Sequence, residues 1–495
     1  MMKTKLLLFT MACAFAVQTS AQSETVKYED FLVTPSNISQ GVLDNGFRYY
    51  LCDNGFTGNG LEIRLIQKSG TGDDEGTSGI ALLLRRMLFS ENLTVGSVGV
   101  VKDQLDALNM QRIPSFRALN GLIPDIPAYC SEMDNGCTEF NLFRLKKERA
   151  YAASCVELLS QIAGHARFSA SELERQKTFL VNEITNSRYD LAKSGENSLK
   201  ATFVDGCTLD ELINKQINSI RSITLQQIEA YYQRWYVPQN QCLYVFGKAP
   251  DDIVDIIKQQ FGCRPNMPAP ERGVNKLNHQ KLLMLKHDVP AFYLQFCFVQ
   301  PRVAASATKN LDYLRKKAVY GRLGEILGTS KDAQVTVSMD EDAPFFRCPV
   351  FELRMMMALD LYADERQLSD FVDDVTKKLD DIIHNGVQTH IEQLTIEKQK
   401  ELQQQALTNI RDYKVLDTHS CIKANFIHSK PLVKEEPTYQ YFKHEVSEQD
   451  IQDCCKELFK NYDLRIVCTT PYGYPDADIK AKLESMIYHL STPPN

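Results

Sequence analysis

Ile223-Thr224-Leu225-Gln226-Gln227-Ile228, followed by Asn240-Gln241-Cys242-Leu243-Tyr244-Val245, is echoed later by Val446-Ser447-Glu448-Gln449-Asp450-Ile451 and then Asp463-Leu464-Arg465-Ile466-Val467-Cys468. Each copy reads as a capped helix followed by an apolar strand. Thr224 with Gln227 makes a capping box and Ser447 with Asp450 an approximate one, in which side chains satisfy the first orphan backbone donors of a helix. The same order of elements met twice implies one kind of unit built twice. Between the copies, Arg264 to Gly273 contains Pro265, Pro268 and Pro270 and reads as a linker.

Working outward, Leu43-Asp44-Asn45-Gly46 places a turn signal before the β-prone run Phe47 to Leu51, and Leu61, Ile63 and Leu65 alternate with Glu62 and Arg64 as in a half-buried strand. Helical patterns cover about 76–89, 147–166, 171–189, 224–236 and 251–261, with a hairpin at 129–145. After the linker, 281–286, 291–299 and 351–357 read as strands, and 311–327, 366–384 and 391–412 as helices. The fold class is α+β. We expect two similar units at 41–263 and 281–490, joined by a linker at 264–280, each of ordinary domain size.

Met1 to Ala21 carries Lys3 and Lys5, an apolar run from Leu6 to Val17, and Thr19-Ser20-Ala21, which together read as a cleaved signal peptide. The run is shorter than the ~18 apolar residues a membrane span needs. Residues 22–40 form an extension, and the mature protein is expected to be exported, periplasmic or extracellular, with no integral membrane segment. Lys+Arg 56 against Asp+Glu 63 gives a net charge of −7, or −9 once the leader departs, which argues against nucleic acid as a partner. Of the fourteen cysteines none forms a CxxC pair. Cys130 and Cys137 flank the turn signal Asp134-Asn135-Gly136, leaving a cross-hairpin disulfide open, while buried free thiols suit most of the others. None of the nine histidines has a His or Cys three or four residues on, and there is no GxSxG elbow or P-loop.

Leu43-x-Asn45-Gly46, the run Gly79-Ile80-Ala81-Leu82-Leu83-Leu84-Arg85-Arg86-Met87-Leu88-Phe89, and Trp235-Tyr236-Val237-Pro238-Gln239-Asn240 with Val245-Phe246-Gly247 resemble the first domain of the M16 zinc peptidases, the insulinase and pitrilysin type. Arg322-Leu323 with Ala343-Pro344-Phe345 resembles a bacterial subgroup of that family. The resemblance implies two homologous α/β-sandwich domains of the LuxS/MPP-like kind, each a mainly antiparallel sheet covered by helices. In that family an inverted motif, HxxEH, supplies two zinc ligands and a water-activating glutamate from one helix. The matching positions here are Leu82, Arg85 and Arg86. Leucine has no lone pair to offer, and arginine is a permanent donor. The distal glutamate ligand of the family matches Glu183, with Gln176 at the supporting position two turns earlier, so an ion pair from Arg85 or Arg86 to Glu183 is expected where the family holds zinc. The family's peptide-binding edge strand matches Ala128, Tyr129 and Cys130, with 110–126 an apparent insertion able to cover it.

The resulting expectation is an exported M16-like pseudopeptidase with no catalytic residues, no cofactor and no metal. It would bind peptides, or act as the non-catalytic partner of an active M16 subunit, or pair with itself as a dimer. Two alternatives stand beside it: an active zinc metalloendopeptidase with a non-standard site, and a cell-envelope interaction protein.

Overall fold

A computed structural model describes residues 35–491, apart from 54–60, 91, 97–98, 113–127, 188–197, 274–275, 289–290, most of 302–332, 341–347, 359–364, 388–410, 430–431 and 433–446. The leader, most of the 22–40 extension, the insertion from 113 onward, the helical pattern 391–410 and Ala343-Pro344-Phe345 lie outside the described residues.

The first half builds a seven-stranded sheet from β1 (Ile38–Val42), β2 (Arg48–Cys52), β3 (Leu61–Gln67), β4 (Gln111–Arg112), β5 (Ala128–Met133), β6 (Thr138–Leu145) and β7 (Gln241–Phe246), in the order β1-β2-β7-β3-β6-β5-β4. β2 and β7 are parallel, as are β4 and β5; the other neighbours are antiparallel. The alternation in β3 explains why the sheet has two covered faces. Leu61, Ile63 and Leu65 enter one apolar core with residues of α1 (Ile80–Leu88), α2 (Arg149–Gly164), α3 (Ala170–Asn186), α4 (Leu209–Ser222), α5 (Leu225–Trp235) and α6 (Ile253–Phe261). Ile66 enters a second core on the opposite face.

The second half builds a five-stranded sheet from β8 (Leu282–His287), β9 (Ala291–Val299), β10 (Ala333–Asp340), β11 (Val350–Ala358) and β12 (Asp463–Pro471), in the order β8-β12-β9-β11-β10. Its core is shared with α7 (Glu365–Asn385), α9 (Glu448–Leu458) and α10 (Ala477–Leu490), while α8 (Arg411–His428), between α7 and α9 in the chain, packs elsewhere. Both capping boxes read from the sequence form, at Thr224 and at Ser447. β10, α4 and α8 lie outside the elements read from the sequence, although Thr208 with Glu211 makes a capping box ahead of α4 and Val335, Val337 and Met339 alternate along β10.

Each half also covers the other's sheet. Ile422 and Phe426 of α8 pack on Tyr50, Ile66, Tyr244 and Phe246 of the first sheet, while Phe203 of the first half packs on Leu283, Val350 and Val467 of the second. The seam under α8 is polar as well as apolar. Lys423 Nζ reaches Glu139 Oε1 at 2.9 Å and Asp134 Oδ2 at 2.8 Å, and His419 Nε2 lies 3.1 Å from Glu139 Oε2. Tyr50 Oη donates to Asn425 Oδ1 at 2.7 Å. Burial opposes the charge on Glu139, but His419 and Lys423 prevail and hold its carboxyl well below the ordinary range.

The linker is strapped to the first half. Arg264 donates to Gln241 Oε1 at 2.6 Å and to the Tyr236 carbonyl, and Arg272 donates to Asp73 Oδ2 at 3.1 Å and to the Gly136 carbonyl at 2.8 Å.

Candidate functional site

α1 begins later than its sequence pattern, at Ile80, because Gly79 adopts a φ of 89° that halts the preceding turn. A Cβ there would also meet Ile220 Cγ1 at 2.6 Å, so the close approach of α4 demands glycine. The Asp74 carboxylate caps the helix, accepting from Gly79 N at 2.7 Å and Ala81 N at 3.1 Å. Burial pushes that carboxyl up to about 6, even though the two amides pull the other way. Ile80, Ala81, Leu83, Leu84, Met87 and Leu88 are buried in the core. What remains is the stripe Leu82, Arg85 and Arg86, half-buried and sharing one helical face through the spacing i, i+3, i+4.

From that stripe Arg86 reaches α3. Arg86 Nη1 donates to Glu183 Oε2 at 2.5 Å, and Arg86 Nε donates to Gln176 Oε1 at 3.3 Å. One guanidinium therefore spans both family-matched positions of α3, which lie two turns apart. Gln176 Nε2 in turn donates to Glu172 Oε1 at 2.7 Å. Glu172 is the hub of a further network that sequence reasoning missed: it also accepts from the Ser90 hydroxyl, from Asn92 Nδ2 at 3.2 Å and from Arg175 Nε at 2.8 Å. Burial raises its carboxyl, but the bonds from Arg175, Ser90, Gln176 and Asn92 outweigh this and hold it at about 2. The spacing of Glu172, Arg175 and Gln176 was the available signal for mutual contact on one helix. Arg85 turns the other way, donating from Nη1 to the Ser131 carbonyl of β5 at 3.2 Å, and Leu82 packs against the first core.

These residues do not fit a zinc ion. The stripe offers an alkyl group and two permanent cations, and the one carboxylate facing it already holds a guanidinium. Among the described residues there is no group of three His, Cys, Asp or Glu side chains placed to hold a metal. The arrangement instead ties two helices together by charge.

One other expectation needs correction, and one pairing left open by the sequence is decided. Ala128 and Tyr129 do not form a free edge: they pair in parallel with Gln111 and Arg112, so β4 covers the rim there. Tyr129 is also unavailable to a ligand, being buried in the core with its ring edge against Phe89 at 5.1 Å, and the rim beyond β4 begins at Cys130. The Cys130 to Cys137 disulfide does not form, and all thirteen described cysteines are free. The hairpin register sets Cys130 opposite Asn141, four positions beyond Cys137 on β6, which is roughly 13 Å along a strand and too far for a disulfide.

Comparison with known proteins gives the same reading of the fold. Residues 222–335 match the family model described as "Peptidase M16 inactive domain". That segment, and the fold as a whole, are similar to M16 peptidases. It is 22% identical over 349 residues to a protein of Arabidopsis thaliana named "Zinc protease PQQL-like", covering 68% of this chain and 34% of that relative. Among solved M16-like structures, the periplasmic protease PqqL from Escherichia coli superposes with a TM-score of 0.69 at 15% identity, over 94% of this chain and 51% of that one. A point mutant of the ferredoxin protease FusC, solved in complex with Arabidopsis ferredoxin, superposes with a TM-score of 0.66 at 17% identity, over 92% of this chain and 50% of that one. This chain thus spans about half the length of those two structures and a third of its Arabidopsis relative.

Proposed function

We propose that this protein is an exported, metal-free M16 pseudopeptidase, one that holds peptides or serves as the non-catalytic half of an M16 assembly and does not cut. The observation carrying this reading is the 2.5 Å ion pair between Arg86 and Glu183, at positions where an M16 enzyme would need metal ligands. A divalent cation brought to that face would meet Arg85 and Arg86, a repulsion of about 8 kcal/mol from a guanidinium 4 Å away with an effective dielectric of about 20. PqqL and FusC, chains of about twice this length with the same fold in one half, support a further unit of this kind as the partner in an M16 assembly. FusC in complex with ferredoxin supports protein or peptide binding as a use of this scaffold.

Export rests on the leader-like residues 1–21 and on likeness to a protease described as periplasmic. Among the described residues no helix is long and apolar enough to cross a membrane. The test is an assay of quenched peptides with the purified mature chain, with and without chelator, alongside a triple variant Leu82→His, Arg85→Glu, Arg86→His. The native chain should cut nothing. Chelator-sensitive cleavage by the native chain would overturn the proposal, and zinc uptake by the triple variant alone would support it.

A further inference from the structure

The two sheets share one pairing pattern. β2 runs parallel to β7, after which β3, β6 and β5 follow antiparallel; β8 runs parallel to β12, after which β9, β11 and β10 follow in the same way. β8 therefore holds the place of β2. The outer edge of β2 is filled by β1, paired antiparallel from Ile38 opposite Cys52 to Val42 opposite Arg48. The outer edge of β8 pairs with no strand among the described residues. In the first half the chain turns back from β1 into β2. Before β8 it crosses instead to the first half, where Asn278 N donates to Phe203 O at 2.9 Å and Asn278 Nδ2 to Thr202 O at 2.7 Å.

Beside the unfilled edge lies a cavity of about 520 Å³, with Leu283, Met284 and Leu285 on one side and Thr202, Thr208 and Glu211 among the residues facing them. Successive strand side chains point to opposite faces. A space that touches three consecutive residues therefore runs along the strand's edge. The direction of the main chain agrees. Ile466 N donates to Lys281 O at 2.8 Å and Tyr472 N to His287 O at 3.0 Å, so the odd-numbered residues turn toward β12 and its continuation. Leu282, Met284 and Lys286 turn their N–H and C=O groups outward. An open edge is commonly guarded by a lysine. Here the Lys286 ammonium is drawn away to Asp476 Oδ1 and to the Tyr474 carbonyl, both at 2.7 Å.

We propose that the outer edge of β8 takes up an extended segment of a partner polypeptide as a sixth strand, bonded to Leu282, Met284 and Lys286, with a cationic side chain reaching Glu211. The ligand is an extended polypeptide because the site presents donors and acceptors at strand spacing, and because the equivalent edge of the first sheet is filled by such a strand. β8 is about 20 Å long, enough for a segment of the length of β1. Glu211 supplies the one formal charge among the residues lining the cavity. The inference deepens the peptide-holding reading and rests on it, but it uses a surface other than the one around Arg86.

The test is hydrogen exchange on the full mature chain, with a blocked peptide of about nine residues alternating valine and threonine around a central arginine. Amides of Met284 and Lys286 should gain protection, while those of Leu283 and Leu285, already bonded to β12, change little. The same peptide N-methylated on its pairing amides should protect nothing. Cys207→Trp, which fills the cavity, should abolish protection. Glu211→Gln keeps the capping box with Thr208 while removing the charge, and should weaken the arginine peptide severalfold but not a norleucine version. Equal protection by the methylated peptide, none by the parent at saturation, or edge amides already protected in the free chain would each overturn the proposal. Cleavage of the peptide would defeat the metal-free reading and leave the edge result standing, so the two failures are distinguishable.

Discussion

Arg86 is the residue on which the chemistry turns. Its guanidinium lies between Gln176 and Glu183 and is mostly shielded, whereas the Glu183 side chain is 44% exposed. Solvent screening therefore limits the pair to about 1 kcal/mol or less. Arg86→Ala should lower the urea midpoint slightly, and a double-mutant cycle with Glu183→Ala should give a small positive coupling; zero coupling would mean that the pair fixes geometry without stabilising. Glu172 gives a pH signature. Its carboxyl moves from 4.5 to about 2 on folding, so its contribution is present above about 4.5 and is lost as pH falls from there toward 2. Asp74 acts in the opposite sense: raised from 3.8 to about 6, it contributes most below 3.8 and loses that contribution as pH rises through 6. Glu172→Gln should flatten the fall in stability between pH 4.5 and 2, read from urea midpoints. An unchanged acid limb would contradict the network drawn around it.

Among the elements, α8 carries the sharpest prediction. Lys423 and His419 are what compensate Glu139, which is 3% exposed. Lys423→Met should therefore cost about 3 kcal/mol, because it leaves a buried carboxylate short of a partner. Adding Glu139→Gln should recover part of that loss, and limited proteolysis should find α8 cut faster in the single variant only. Legibility in the sequence followed the same line between local and long-range effects. α1, α5 and the β5–β6 hairpin were readable because apolar period, capping residues and a turn signal agreed locally. α8 was not, since its character depends on the sheet it covers: His419 looked like one more isolated histidine, and only the fold sets it against Glu139. Likewise Leu82, Arg85 and Arg86 were legible as one helical face carrying an alkyl group and two guanidinium groups. The insertion at 110–126 was legible as a segment able to cover the edge at Ala128 and Tyr129, but that Gln111 and Arg112 do so as a strand of two residues was too short a feature to leave a pattern.

For the whole molecule, the exchange of cover between the halves argues for cooperative unfolding. α8 lies on the first sheet and Phe203 under the second, so neither half can open without exposing apolar surface of the other. Trp235, the single tryptophan, is buried in the first core and reports on that half alone. Its fluorescence and the far-ultraviolet circular dichroism of the whole chain should give the same urea midpoint, whereas two separated transitions would show that the halves are independent. At this scale too sits the central claim, that a helix bearing Leu82, Arg85 and Arg86 leaves the scaffold without metal. Metal content measured by mass spectrometry, after dialysis of the mature chain against zinc and then against buffer, tests it most directly. The account predicts no stoichiometric zinc; one tightly retained ion per chain, lost on Glu183→Ala, would contradict it.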